Sequence, residues 1–186
     1  MTGETAVTTE TAVMTETAET MVRMGELAVS KTPGHVLASI GLGSCIGLVL
    51  VDHARPRAGL AHIVLPSSVN GADAGAGKFA DRAVPALLER MAALGAMRSS
   101  LHAVLVGGAQ MFSLGSDSSL DIGRRNEHAA REALTAAGLA VRAAATGGSN
   151  GRTVRVYVDS GLVTVKEPGA PEVEIFSKPG ANGRAR

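Results

Sequence analysis

Aromatic residues are nearly missing from this chain of 186: it has three Phe, one Tyr and no Trp. So few rings cannot supply the stacking platforms on which single-stranded nucleic acids are held. An excess of either charge is missing too. Eighteen Lys and Arg stand against 17 Asp and Glu, a net charge of +1. Neither a phosphate-tracking surface nor a polybasic membrane patch is written into that balance, so no nucleic-acid partner is expected. The single cysteine, Cys45, excludes an internal disulfide framework and any cysteine-rich zinc site. The longest apolar run is Ile46–Val51, far short of the ~20 residues a helical membrane span needs. The first residues are acidic and Thr-rich, the opposite of a secretory signal's basic start. What is present is 45% hydrophobic and 19% charged, enough for one domain with a real core. The reading is a soluble, cytoplasmic, single-domain protein with no membrane insertion.

Residues 1–20 stand apart, with eight Thr, four Glu and no Lys or Arg. Glu-Thr-Ala-Val occurs at 4–7 and again at 10–13, and no helical or strand period of large apolar residues accompanies it. Such a segment cannot bury a face, so residues 1–24 are expected to form a disordered tail. A globular domain over 25–178 and a flexible C-terminus over 179–186 complete the expected division. Strands are predicted at 26–30, 35–40, 46–51, 59–65, 101–106, 141–145, 153–158, 162–166 and 172–176. A Gly/Ala loop is expected at 69–77 and a small polar loop at 113–119. Phe79, Ala83, Leu87, Met91 and Leu94 make one helical stripe. A second helix is predicted from an Asp121 cap to the stop signal Gly138. The pattern predicts an α/β (α+β) layered sandwich, a mixed β-sheet core with two to three flanking helices.

The chemistry gathers around Cys45. It follows Gly41-Leu42-Gly43-Ser44, a turn whose backbone N–H groups lie close to the sulfur, as an oxyanion site requires. The midpoint of 45 and 62 is 53.5, inside the polar turn 52–57. An antiparallel hairpin there sets His62 across from Cys45, within a position or two and on the same face. A thiol beside an imidazole is the minimal activated nucleophile: the histidine lowers the thiol pKa and then shuttles the proton. A buried inert cysteine and a satisfied core histidine account for the same two residues. The turn is not a phosphate loop, because position 46 is Ile and no Gly-Lys-Ser/Thr follows. His35, His53, His102 and His128 have no partner at ligand spacing, so neither a metal site nor a cofactor is expected.

Together the blocks Gly41-Leu42-Gly43-Ser44-Cys45, Ala61-His62-Ile63-Val64-Leu65-Pro66 and Gly77-Lys78-Phe79-Ala80-Asp81 resemble the chemoreceptor glutamine deamidase family CheD. The resemblance continues through Gly107-Gly108-Ala109-Gln110-Met111-Phe112, Ile122-Gly123-Arg124-Arg125-Asn126 and Thr146-Gly147-Gly148, over roughly residues 26–166.

That resemblance implies a fold related to deamidating bacterial toxins and a Cys–His–Thr catalytic group. It makes Cys45 the nucleophile and His62 the base. The third member falls six residues before the cysteine, where this chain has Ser39 in place of the usual Thr. The hydroxyl is kept and the methyl that stiffens χ1 is lost. Gly43 and Ser44 would support the oxyanion. The implied reaction converts receptor glutamine side chains to glutamate through a glutamyl thioester, releasing ammonia. The implied partners are the chemoreceptor cytoplasmic domain and a CheC-type phosphatase. A non-catalytic adaptor that binds the phosphatase, or a transglutaminase, are the competing readings.

Overall fold

The computed structural model describes residues 18–68, 75–110 and 121–178. The apolar run at 46–51 forms β4 (Ile46–Asp52), a strand buried at every position. Continuous hydrophobicity is what a strand covered on both faces requires. It sits in the middle layer of three. That layer is a five-stranded sheet in the order β2 (Leu27–Ser30), β5 (Ala58–Ile63), β4, β6 (Leu101–Gly107), β7 (Val141–Thr146). A second sheet packs on one face, in the order β1 (Glu19–Met21), β3 (Val36–Leu42), β8 (Arg152–Tyr157), β9 (Leu162–Lys166), β10 (Val173–Phe176). The other face of the middle sheet carries α1 (Ala80–Ala93) and α2 (Ile122–Ala136).

Side-chain parity divides the core in two. Ile46, Leu48 and Leu50 of β4 point to the helices, where they meet Leu87, Met91 and Leu134. Val49 and Val51 point to the other sheet and pack with Leu37, Leu60, Val154 and Val156. Each large side chain so buried contributes roughly 1.5–3 kcal/mol. Both sheets are mixed: β1 runs parallel to β3, β7 runs parallel to β6, and the other pairs are antiparallel. The molecule is an α+β sandwich with two flanking α-helices among the described residues, as the hydrophobic pattern predicts.

One expectation needs correction. The tail boundary at residue 24 falls too late. Glu19–Met21 is an edge strand on β3, Thr20 Oγ1 lies 2.9 Å from His35 Nε2, and Val22 is buried. The Thr/Glu repeat hides this strand, because its place comes from main-chain pairing with β3 and not from an apolar period of its own. The β4–β5 register falls within the expected position or two: His62 stands opposite Gly47, two residues past Cys45. The turn is the expected one, closed by Asp52 N–H to the Arg57 carbonyl at 3.0 Å. Its centre is simply later than the midpoint of 45 and 62. The polar loop at 113–119, the first 17 residues, positions 69–74 of the Gly/Ala loop and the C-terminus from 179 lie outside the described residues.

Candidate active site

A bulge in β3 builds the site. Ser39 pairs with Val154, yet Leu42 pairs with Arg152, so one extra residue is accommodated between them, at Gly41 with φ +72°. A one-residue insertion flips every later side chain to the opposite face. Ser39 and Leu42 therefore both point between the sheets. Leu42 fills the space above Gly47, where a β-carbon would stand 2.8 Å from its Cδ1. The chain then bends through Gly43-Ser44-Cys45 into β4.

The structure brings Ser39 and His62 together. Ser39 Oγ is 2.8 Å from His62 Nδ1 and donates to the Val22 carbonyl at 2.9 Å. A hydroxyl has one proton, and that proton is spent on a carbonyl that only accepts. The arrangement satisfies all three groups when Nδ1 carries the hydrogen and donates to Ser39 Oγ. Val22 O, at 3.5 Å from Nδ1, supports the same tautomer. His62 Nε2 is then a bare lone pair, and among the described residues it has no hydrogen-bond partner although it is buried. Its main chain is tied to the 25–26 turn, His62 N–H to Glu26 O and Gly25 N–H to His62 O, both at 3.0 Å.

Cys45 lies two residues before Gly47, the direct partner of His62, and packs against the same inter-sheet cluster. That makes the pair diagonal neighbours on one face, a relation that spans roughly 7–8 Å between backbones and is bridged by side chains. Burial works against the expected lowering of the thiol pKa. Burial pushes the Cys45 thiol up from its ordinary value. Burial pushes His62 down, more than the Val22 hydrogen bond and the Glu26 carboxylate raise it. Burial therefore opposes charge on both groups, and the imidazole acts when it takes the proton during attack.

The remaining motif blocks hold the cysteine bend. The Gly108 N–H donates to the Cys45 carbonyl and the Ala109 N–H to the Gly43 carbonyl, each at 2.8 Å. Gly107 has φ +106°, and a β-carbon there would collide with the Cys45 carbonyl. Gly147 donates to Gly107 O at 3.0 Å, and Arg152 reaches Gly147 O at 2.7 Å from behind. Lys78 O accepts from Val64 and Leu65, just beyond His62, and Gly77 N–H binds Gly25 O. Asn126, fully buried, donates from Nδ2 to both Ser44 O and Val64 O at 2.9 Å. Sequence reasoning gave no role to Asn126, nor to Val22. Their partners are 82, 62 and 17 residues away in the chain, and only the blockwise spacing of the Gly-Arg-Arg-Asn motif hinted at one of them. No group of three or more metal-ligating side chains occurs among the described residues.

Comparison with known proteins gives the family. A family model described as CheD chemotactic sensory transduction matches residues 64–167, a span that begins just after His62. A probable chemoreceptor glutamine deamidase CheD of Methanococcus vannielii is 42% identical over 146 residues, covering 78% of this chain and 93% of its own. The chemoreceptor glutamine deamidase CheD of Halalkalibacterium halodurans is 40% identical over 157 residues, 83% of this chain and 96% of its own. A probable member of Caldanaerobacter subterraneus is 43% identical over 150 residues, 80% and 92%. With more than half of its length matched by the model and relatives aligned along nearly their full length, the chain belongs to the CheD family.

Proposed function

We propose that this protein hydrolyses the side-chain amide of glutamine residues on chemoreceptors, with Cys45 as nucleophile, His62 as proton carrier and Ser39 as the group that orients it. The observation that carries the reading is the Val22–Ser39–His62 relay. It leaves a buried imidazole with an unshared lone pair at Nε2, on the face where Cys45 enters β4.

His62 Nε2 accepts the thiol proton as sulfur attacks the amide carbon. The oxyanion forms beside the Gly43-Ser44-Cys45 bend, where the Ser44 and Cys45 amides are engaged by no carbonyl among the described residues. The imidazolium then gives its proton to the nitrogen, ammonia leaves, and a glutamyl thioester remains. Water, deprotonated by the same imidazole, cleaves the thioester to glutamate and regenerates the thiol. The product carries a new negative charge, which in a helical signalling bundle shifts packing.

The names of the relatives support chemoreceptors as substrates. Action on the receptors' cytoplasmic part, a CheC-type phosphatase as second partner, a cytoplasmic location and a kinship of fold with deamidating-toxin cysteine hydrolases belong to the same reading. No helix among the described residues is long and apolar enough to cross a membrane. The test is incubation with a receptor cytoplasmic fragment, followed by mass spectrometry for Gln-to-Glu conversion and by ammonia release. An added primary amine that is incorporated in place of water would assign a transglutaminase instead.

A further inference from the structure

We propose that Asn126 is a positioning residue that aims the Cys45 N–H at the oxyanion. The inference rests on Cys45 as the nucleophile and concerns how its own backbone takes part.

The argument starts from the peptide unit. The Ser44 carbonyl and the Cys45 N–H belong to one planar trans group and point in opposite directions. Whatever fixes the carbonyl fixes the amide. Asn126 Nδ2 fixes that carbonyl at 2.9 Å and holds the Val64 carbonyl, two residues past His62, at the same distance. Both protons of one amide are used, one on each arm of the site. Because two carbonyls can only accept, nitrogen and not oxygen must face them. A hydrogen bond on the carbonyl side also polarises the peptide, strengthening its N–H as a donor.

The surroundings show that this strap is built in. Asn126 is 0% exposed; both Nδ2 protons are used, while its Oδ1 has no partner among the described residues. It projects from the first two turns of α2, which Asp121 starts by accepting the Arg124 N–H at 3.0 Å. The helix comes close because residue 123 is glycine: a β-carbon there would stand 2.6 Å from both the Gly108 and the Ala109 carbonyls. Those two residues hold the other side of the same bend, through Cys45 O and Gly43 O. The Cys45 carbonyl is thus anchored by Gly108, the Ser44 carbonyl by Asn126, and the N–H between them is left pointing away and unengaged among the described residues.

An oxyanion is needed when sulfur attacks a carbonyl and is not needed when it displaces a halide. The two reactions therefore separate aiming from general integrity. The assay follows Cys45 acetylation by p-nitrophenyl acetate, which forms the S-acetyl thioester and releases p-nitrophenol, beside alkylation by iodoacetamide, which releases iodide. The variants are Asn126→Asp, which keeps the shape and loses the donors, and Asn126→Ser, which is too short to reach both carbonyls. Acetylation is expected to fall about 10- to 100-fold, below the 10²–10³ typical of deleting an oxyanion donor outright. Alkylation is expected to stay within about threefold. Acidification should restore part of the Asn126→Asp rate, when the carboxyl regains a proton to donate.

Equal losses in both reactions, or no loss in either, would overturn the proposal. Should neither variant fold, the unmodified protein decides by NMR. The Asn126 side-chain protons must exchange slowly, and the Cys45 amide proton must move downfield when a small aldehyde adds to the thiol as a hemithioacetal. Failure of either signal overturns it. None of these readouts requires a receptor, so a protein that does not deamidate receptors would refute the proposed function while leaving the aiming of Cys45 to be judged separately.

Discussion

Ser39→Ala removes the nearest hydrogen-bond partner of His62 Nδ1 among the described residues, at 2.8 Å. Ser39 is 0% exposed and lies behind the imidazole, so it has no direct part in binding substrate, and KM should hold. A buried N–H left without its acceptor costs about 1–3 kcal/mol. Val22 O waits at 3.5 Å and recovers some of that, which places the loss at about 1–2 kcal/mol. The substitution also frees the ring to flip or to move its proton to Nε2, and either change removes the base. If that loss falls on the transition state, at about 1.36 kcal/mol per tenfold, kcat drops by about 5- to 30-fold. The same loss lowers the melting temperature by roughly 2–8 °C for a domain of this size. Ser39→Thr retains the hydroxyl and should keep kcat within about threefold. The assay is steady-state ammonia release from a receptor fragment, with thermal melts in parallel. A Ser39→Ala protein with the parent kcat, KM and pH profile would show that position 39 only fills space and that His62 needs no orientation.

Acidification should destabilise the protein. Burial lowers the His62 pKa below 6.5, so the unfolded chain takes up protons that the folded one refuses, and stability falls as pH drops below that value. His102 is lowered in the same direction, so His62→Gln should flatten part of the acid slope of melting temperature and leave the rest. Deamidation should show its acid limb below pH 6.5, and Cys45 alkylation should have its midpoint above that of a free thiol, because burial raises Cys45; a midpoint well below a free thiol's would show that burial does not govern the thiol. Deleting residues 1–17 should leave melting and activity unchanged, whereas deleting 1–22 removes β1 and the Val22 carbonyl and should lower kcat at least about tenfold. Equal behaviour of the two truncations would mean that the N-terminal strand has no part in the site. Gly107→Ala, forced into φ +106° against the Cys45 carbonyl, should cost about 1–3 kcal/mol of stability and slow acylation of Cys45. Gly138→Ala, at φ +70° with nothing within 4 Å, is the control: it carries only the backbone penalty of about 1–2 kcal/mol and should leave the thiol unaffected.

Particular residues show what could be read from the sequence and what could not. The helices were legible because their signals are local: the stripe through Ala83, Leu87 and Met91 is the buried face of α1, and Asp121 caps α2 through the Arg124 N–H. Ser39 was expected only through the family resemblance, which sets the third member six residues before the cysteine, and it does reach His62. The β1 strand was not legible, since Glu19–Met21 owes its place to main-chain pairing with Val36–Ala38 and to polar contacts of Glu19 and Thr20, none of which leaves an apolar period. The opposition to a thiolate is hidden from the sequence for a related reason. Proximity to an imidazole was inferred from spacing, but the burial that opposes ionisation of both groups comes from sheet packing. Asn126 and the Val22 carbonyl act across long separations in the chain, and no short-range pattern records such contacts.

The most direct measurement sets the parent protein, Cys45→Ala and His62→Ala side by side on a receptor cytoplasmic fragment, with mass spectrometry reading Gln-to-Glu conversion at each site. The parent should convert specific glutamines with an equal release of ammonia, and both variants, folded by circular dichroism, should convert none above the uncatalysed background. Since the two residues act as one unit, the double variant should be no worse than either alone. Conversion by folded Cys45→Ala at more than a few per cent of the parent rate would contradict the assignment of the nucleophile, and with it the account of the site.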